Sequence, residues 1–232
     1  MISVIIPTFN EEENIAQCLV SLQHQTVPRD EYEIIVVDGN SKDRTREIAQ
    51  KYADKVFIQT SPRVGGARND GIMAASGDIV ATTDADCILP PSWIATIREG
   101  FTDPGVVQVY GPVYPIETGV KNSFSLFAAN TYSRIGYYSR IFYYTLGCNT
   151  AFKRDAVIRA GLYRYIDAGD DVEIALRMSR LGKVRFIGAM KVGFSMRRYK
   201  KYGSARSLYE WMYIVAHGGR VEKYQYSQKD YK

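Results

Sequence analysis

The chain has 232 residues, 46% hydrophobic and 24% charged, which is ordinary globular usage: it excludes a disordered chain and allows one domain, or one domain with an appendage. The net charge of +5 is unevenly placed, because residues 195–232 hold nine Lys/Arg against three acids and the first 194 residues sum to −1. Cys18, Cys87 and Cys148 match neither a disulfide framework nor a zinc spacing, the N-terminus lacks the basic start of a secretory signal, and no stretch approaches the roughly 18 apolar residues of a spanning helix. A reducing, cytoplasmic setting is expected, with any membrane contact made from the surface.

In chain order, "SVIIPTF" (3–9) reads as a β-strand, 11–25 as a helix and "EIIVVD" (33–38) as a second strand, the length of a βαβ unit. The alternation repeats. A helix is expected over 44–53, a strand over 55–59, a helix in "GARNDGIMAAS" and a strand in "DIVATTD". Near-continuous apolar strands alternating with helices imply a mostly parallel sheet covered by helices, an α/β doubly wound arrangement over residues 1–90.

After Pro90-Pro91 the pattern gives a helix from Ser92 to about Phe101 and one further strand in "GVVQVYGPVYP". The next stretch, "SFSLFAANTYSRIGYYSRIFYYTLG", holds Phe124, Phe127, Tyr132, Tyr137, Tyr138, Phe142, Tyr143 and Tyr144. These aromatics suit either a helix or loop pair walling a cleft or plain core packing. "GCNTAFKRDAVIRAG" supplies a strand and a short helix, and "DAGDDVEIALRMSRLG" a helix with acids in its first turn and Gly182 as the expected C-cap.

In open parallel sheets ligands bind beyond the carboxyl ends of the strands, where strand order reverses. Asp38, Asp84 and Asp86 stand where such strands should end. Singly, each reads as a turn or N-cap residue. In an extended strand, side chains two apart share a face, so "TTDAD" aims the carboxylates of Asp84 and Asp86 at one point, and two like charges so placed call for a cation. The first strand-to-helix turn, "PTFNEEEN", has neither the glycine fingerprint of a dinucleotide fold nor the Gly-Lys-Ser/Thr of a phosphate loop. Acids there suit hydrogen bonds to a base or ribose, with Mg²⁺ or Mn²⁺ on one or two carboxylates bridging to a nucleotide diphosphate.

"SVIIPTFNEEENI", "VVDGNSKDRT", "TTDADCILPPSWI", "GCNTAFKRD" and "AGDDVEIALR", in this order over residues 1–182, resemble the motifs of family 2 glycosyltransferases of the GT-A fold. The resemblance implies a metal-dependent, inverting transfer of a sugar from a nucleotide diphosphate sugar, UDP- or GDP-linked. It implies a catalytic domain over 1–194, with a nucleotide-binding half (1–90) and an acceptor half (91–194), followed by a basic, Tyr-rich extension over 195–232. By similarity, Pro7, Thr8 and Glu11 line the base and ribose pocket, Asp38 hydrogen-bonds the base, Asp84 meets ribose or the metal shell, and Asp86 binds the metal directly. Arg68 and Asn69 fall in a donor-contact loop, although Arg68 also reads as an exposed helix-face cation. Inverting transfer needs a carboxylate to take the acceptor's proton. The "GDD" pair supplies Asp171, with Asp170 as competitor and helix N-capping as the plain alternative; Glu173 either assists or is solvated.

The Gln-X-X-Arg-Trp segment of processive members is absent, so transfer of one sugar is expected. Arg197 and Arg198 fall where a diphosphate-contacting cation belongs. The tail joins basic residues to seven tyrosines and Trp211, and "SARSLYEWMYIVAHGG" places Leu208, Trp211, Met212 and Val215 on one helical stripe. It suits either an anionic membrane surface, with an acceptor that is lipid-linked, or a helix packed on the domain. Nucleic-acid binding is disfavoured because no recognised module precedes the tail. A sugar nucleotidyltransferase is also disfavoured, because it would carry a Gly-rich, basic first turn.

Overall fold

The computed structural model describes residues 1–197 except 118 and 167, and beyond these only 209, 213 and 217. The anticipated tail helix around Leu208, Trp211, Met212 and Val215 lies outside the described residues. Nine strands and seven helices are described, and the first half follows the expected alternation. In order these are β1 (Ile2–Thr8), α1 (Ile15–Gln23), β2 (Tyr32–Asp38), α2 (Thr45–Ala49), β3 (Lys55–Ile58), α3 (Arg63–Ala74), β4 (Ile79–Thr82) and α4 (Trp93–Gly100). Then come β5 (Val106–Tyr110), β6 (Val113–Pro115), α5 (Val120–Ser139), β7 (Thr150–Lys153), α6 (Arg154–Arg159), α7 (Asp170–Met178), β8 (Lys183–Phe186) and β9 (Val192–Phe194).

Seven strands form one sheet in the order β3-β2-β1-β4-β7-β5-β8, and β6 pairs with β9 separately. The sheet is mostly parallel, as the near-continuous apolar strands require; β7 runs antiparallel to both β4 and β5. Strand parity sorts the core. Ile2, Val4 and Ile6 of β1 with Ile34 and Val36 of β2 pack on one side against Leu19 and Trp93. Ile5, Ile35 and Val37 face the other side with Ile72 and Phe152, as a period of two dictates. Trp93 Nε1 donates to Asn149 Oδ1 at 2.9 Å, and the Asn149 amide donates to the carbonyls of Pro112 and Met190, so the buried polar atoms bridging β5, β6 and β7 are satisfied.

Four local expectations are corrected. "GVVQVYGPVYP" is two strands in two sheets, broken at Gly111-Pro112 because proline cannot donate to a ladder and a side chain at Gly111 would strike the Met190 carbonyl. Gly182 does not cap α7, which ends at Ser179 in helical conformation; Gly182 instead allows close approach to Val107 and the Gly105 carbonyl. The helix expected over 44–53 shortens to Thr45–Ala49 and continues as turns. Asp84 and Asp86 do not lie in an extended strand: β4 stops at Thr82, and the Cys87 amide closes a turn onto the Asp84 carbonyl at 3.1 Å. The short strands β8 and β9 carry no alternation long enough to read in advance.

All three cysteines are free and buried. Among the described residues no helix is long and apolar enough to cross a membrane.

Candidate active site

Strand order reverses at β1, whose neighbours β2 and β4 diverge to opposite sides, and the crevice beyond these strand ends is where open sheets take ligands. A pocket of about 370 Å³ opens there. Its floor comes from Pro7, Thr8 and Glu11 after β1, Gly39 after β2 and Gln59 after β3. Ala67 and Arg68 of α3 and the Asp84-Ala85-Asp86 turn complete one side; Leu126, Ala129, Tyr144, Gly147 and the Asp170-Asp171 pair form the other.

Arg68 is the centre of the arrangement. It is 5% exposed rather than a helix-face cation, since α3 packs under the sheet through Ala67 and Ile72. Its guanidinium donates to Asp170 Oδ2, 102 residues away in sequence, at 2.7 Å and reaches Asp84 Oδ1 at 3.4 Å, joining the acids after β4 to those of α7. Burial opposes its charge, but the Asp170 and Asp84 carboxylates push its pKa upward. A Cβ on Gly147 would collide with the guanidinium, so glycine there makes Arg68's seat. The buried Nε of Arg68 and the hydroxyl of Thr8, which lines the pocket, have no hydrogen-bond partner among the described residues.

The two α7 acids differ in environment. The helix starts after Gly169, whose φ of 80° an L side chain rarely adopts. Asp170 is locked to Arg68 in an ion pair buried on both sides. Asp171 accepts hydrogen bonds from the Gly147 and Val172 amides at 3.0 and 2.9 Å, and Thr145 Oγ1 donates to its carbonyl at 2.6 Å. Burial, and then the neighbouring Asp170 carboxylate, push Asp171 up to about 7, against the pull of Arg68 and the two amides. Glu173 neither faces the pocket nor is solvated: it is buried and paired with Arg177 at 2.6 Å and Arg164 at 3.1 Å.

The acids of "TTDAD" face two different guanidiniums. Asp84 meets Arg68, whereas Asp86 meets Arg197 Nε at 3.1 Å, and the same Arg197 pairs with Glu11. A cation from the distant C-terminal segment therefore stands between Glu11 and Asp86, the chemistry expected where a divalent ion belongs. Among the described residues no three His, Cys, Asp or Glu side chains form a cage, but Mg²⁺ and Mn²⁺ sites completed by phosphates need only one or two carboxylates. Asp86, with Asp84 beside it, fits that pattern.

Of the residues singled out in the sequence, the fold brings Pro7, Thr8, Glu11, Arg68, Asp84, Asp86, Asp170 and Asp171 to one pocket. It does not bring Asp38 or Asn69. Asp38 is fully buried at the end of β2, where it accepts from Ser41 N and Oγ at 2.8 and 2.5 Å and lies 3.5 Å from Arg46. Asn69 exchanges hydrogen bonds with the Tyr163 backbone in both directions at 2.8 Å. Each side chain is satisfied by the fold itself. Of the aromatics that suited either a cleft wall or the core, Tyr144 lines the pocket; Leu126, Ala129 and Gly147 carry no chemical signature in the sequence, because apolar or small side chains show none until the chain is folded.

The sequence model described as "Glycosyl transferase family 2" matches residues 3–164, more than half of the chain. The chain belongs to glycosyl transferase family 2. Within the family it is similar to glycosyltransferase AglE of Haloferax volcanii, 40% identical over 118 residues, which is 48% of this chain and 39% of that protein. A dolichol-phosphate mannosyltransferase of Pyrococcus furiosus is 40% identical over 103 residues, 42% of this chain and 29% of its own length. The matches thus span less than half of these curated relatives. Among solved structures, S. aureus TarS in complex with UDP-GlcNAc superposes with a TM-score of 0.69 at 20% identity, covering 99% of this chain and 69% of that one. The mannosyltransferase PcManGT of Pyrobaculum calidifontis, in complex with GDP-Man and Mn²⁺, gives 0.68 at 22%, covering 100% and 65%. At such identities the likeness shows the fold, and this family 2 chain has the GT-A fold expected from its motifs.

Proposed function

We propose that this family 2 chain transfers one sugar, with inversion, from a UDP- or GDP-linked donor to an acceptor hydroxyl or lipid phosphate, and that a divalent ion on Asp86, with Asp84 in its shell, is required. The observation that carries the reading is Arg68. By tying Asp84 to Asp170 it sets the donor-side acids and the α7 acids around one pocket while leaving Asp171 outside the ion pair.

In this reading Thr8, whose hydroxyl is buried with no partner among the described residues, and Glu11 meet the ribose and base beside Pro7. Arg68 orients Asp84 and, through Asp170, the first turn of α7. Asp171, fixed by two backbone amides and poised near neutral pH, takes the acceptor's proton as the acceptor oxygen attacks the anomeric carbon opposite the nucleotide. A bound Mn²⁺ or Mg²⁺ would neutralise the diphosphate as it departs. Leu126, Ala129 and Tyr144 give the acceptor side an apolar wall, which supports a lipid-linked acceptor met at the cytoplasmic face of a membrane.

The test is thermal stabilisation of the protein by UDP-, GDP- and dTDP-sugars with Mn²⁺ or EDTA, repeated on Asp86→Ala. Stabilisation by one nucleotide class that needs metal and disappears in the variant is the expected result. Stabilisation that survives both EDTA and the variant would remove the metal from the reading.

A further inference from the structure

Helix α5 is apolar on two opposite sides. Leu126 and Ala129 are buried toward the pocket, Ser133 Oγ donates to the Tyr144 carbonyl at 2.8 Å, and Asn130 exchanges hydrogen bonds with the backbone of Val113 in β6. This is the packed side. At helical spacing, Phe124, Phe127, Ile135 and Tyr138 lie along the opposite side, with the exposed Thr131 between Phe127 and Ile135 turning its hydroxyl back to the Phe127 carbonyl at 2.8 Å, and Ile141 just past the helix end; the five apolar side chains are 70, 67, 54, 78 and 81% exposed. Most other exposed large apolar residues stand singly on separate elements. Large apolar side chains clustered on the exposed face of one helix mark a contact surface.

The charge around this row selects the partner. No Asp or Glu occurs between Glu117 and Asp155, while Arg134 on the edge of the row and Arg140 at the helix C-terminus are both exposed. Aromatic and aliphatic side chains flanked by arginines, with carboxylates absent, match an interfacial helix lying in the headgroups of an anionic bilayer. A water-facing helix of this length would carry acids among its exposed positions. We propose that the outward face of α5, through Phe124, Phe127, Ile135, Tyr138 and Ile141, docks the protein on an anionic lipid surface. The same helix then walls the pocket with Leu126 and Ala129, so a docked molecule holds that pocket beside the lipid headgroups. This surface is separate from the basic tail, and its binding needs neither nucleotide nor metal, so it stands or falls apart from the transferase reading.

The test is co-flotation of the full chain with vesicles of phosphatidylglycerol and phosphatidylcholine, against phosphatidylcholine alone. It is run on wild type and on the double variant Phe127→Glu/Tyr138→Glu, with unchanged circular dichroism and melting as the folding control, since both side chains are largely exposed. Binding to anionic vesicles that drops roughly tenfold or more in the double variant is expected. As a direct probe, Phe127→Trp should shift its fluorescence to the blue on anionic vesicles and be quenched by brominated lipid. Equal binding by wild type and double variant would overturn the proposal and assign docking to the tail. Absence of wild-type binding would overturn it too; if sedimentation then shows a self-associated species that the double variant dissociates, the face is an interface between copies of this chain.

Discussion

Asp171→Asn should lower activity and raise stability at the same time. The carboxylate is pushed from the ordinary 3.8 to about 7 by burial and by Asp170. Between those two values the unfolded chain has released this proton and the folded chain has kept it, so stability falls as pH rises from about 4 to about 7 and then levels. Three pH units at about 1.4 kcal/mol each make the cost about 4 kcal/mol above neutrality. The amide removes that cost but cannot accept from both Gly147 and Val172, which takes back about 1–3 kcal/mol. A net gain of about 1–3 kcal/mol at pH 8 corresponds to roughly 3–10 °C in melting temperature for a chain of this size. Loss of the base should reduce kcat by about 10²- to 10⁴-fold, and wild-type kcat should fall tenfold per pH unit below about 7. The assays are differential scanning calorimetry of both proteins from pH 4 to 8 and sugar transfer to acceptor over the same range. A melting difference between variant and wild type that does not grow across pH 4–7 would refute the electrostatic argument. A variant within tenfold of wild-type kcat would refute the role of base.

Arg68→Gln leaves Asp170 buried without its cation and should cost about 3–5 kcal/mol in urea unfolding; Arg68→Lys should recover only part, because an ammonium cannot serve Asp170 and Asp84 as a planar fork does. Gly147→Ala drives a methyl into the Arg68 guanidinium, and a loss of about 1–3 kcal/mol is expected at unchanged m-value. Arg197→Ala removes a half-exposed competing cation from beside Asp86 and Glu11. Mn²⁺ affinity measured by titration calorimetry without nucleotide should rise a few-fold, in keeping with about 0–1 kcal/mol for such a pair, and an unchanged or weaker affinity would contradict it.

The α/β alternation up to β4, the mostly parallel sheet, the switch-point crevice and, of the three acids expected at its rim, Asp84 and Asp86 were legible in the sequence. Strand parity, helix periodicity and turn chemistry act within a few residues, and those residues are contiguous. The GDD turn was legible for the same reason: Gly169 gives the positive φ and the acids follow at the helix start. Contacts between distant segments were decided by tertiary structure. Whether Arg68 was an exposed or a buried cation depended on Asp170, 102 residues away, and on the absence of a side chain at Gly147. The raised pKa of Asp171 follows from its burial and then from the Asp170 carboxylate beside it, both of which depend on packing across the pocket. Asp38 and Asn69 carried site-like chemistry in the sequence, while in the fold Ser41, Arg46 and the Tyr163 backbone hold their side chains just outside the pocket lining. Local pattern determines which groups can ionise or donate, while their partners, and so their charge and reach, follow from packing across the sheet.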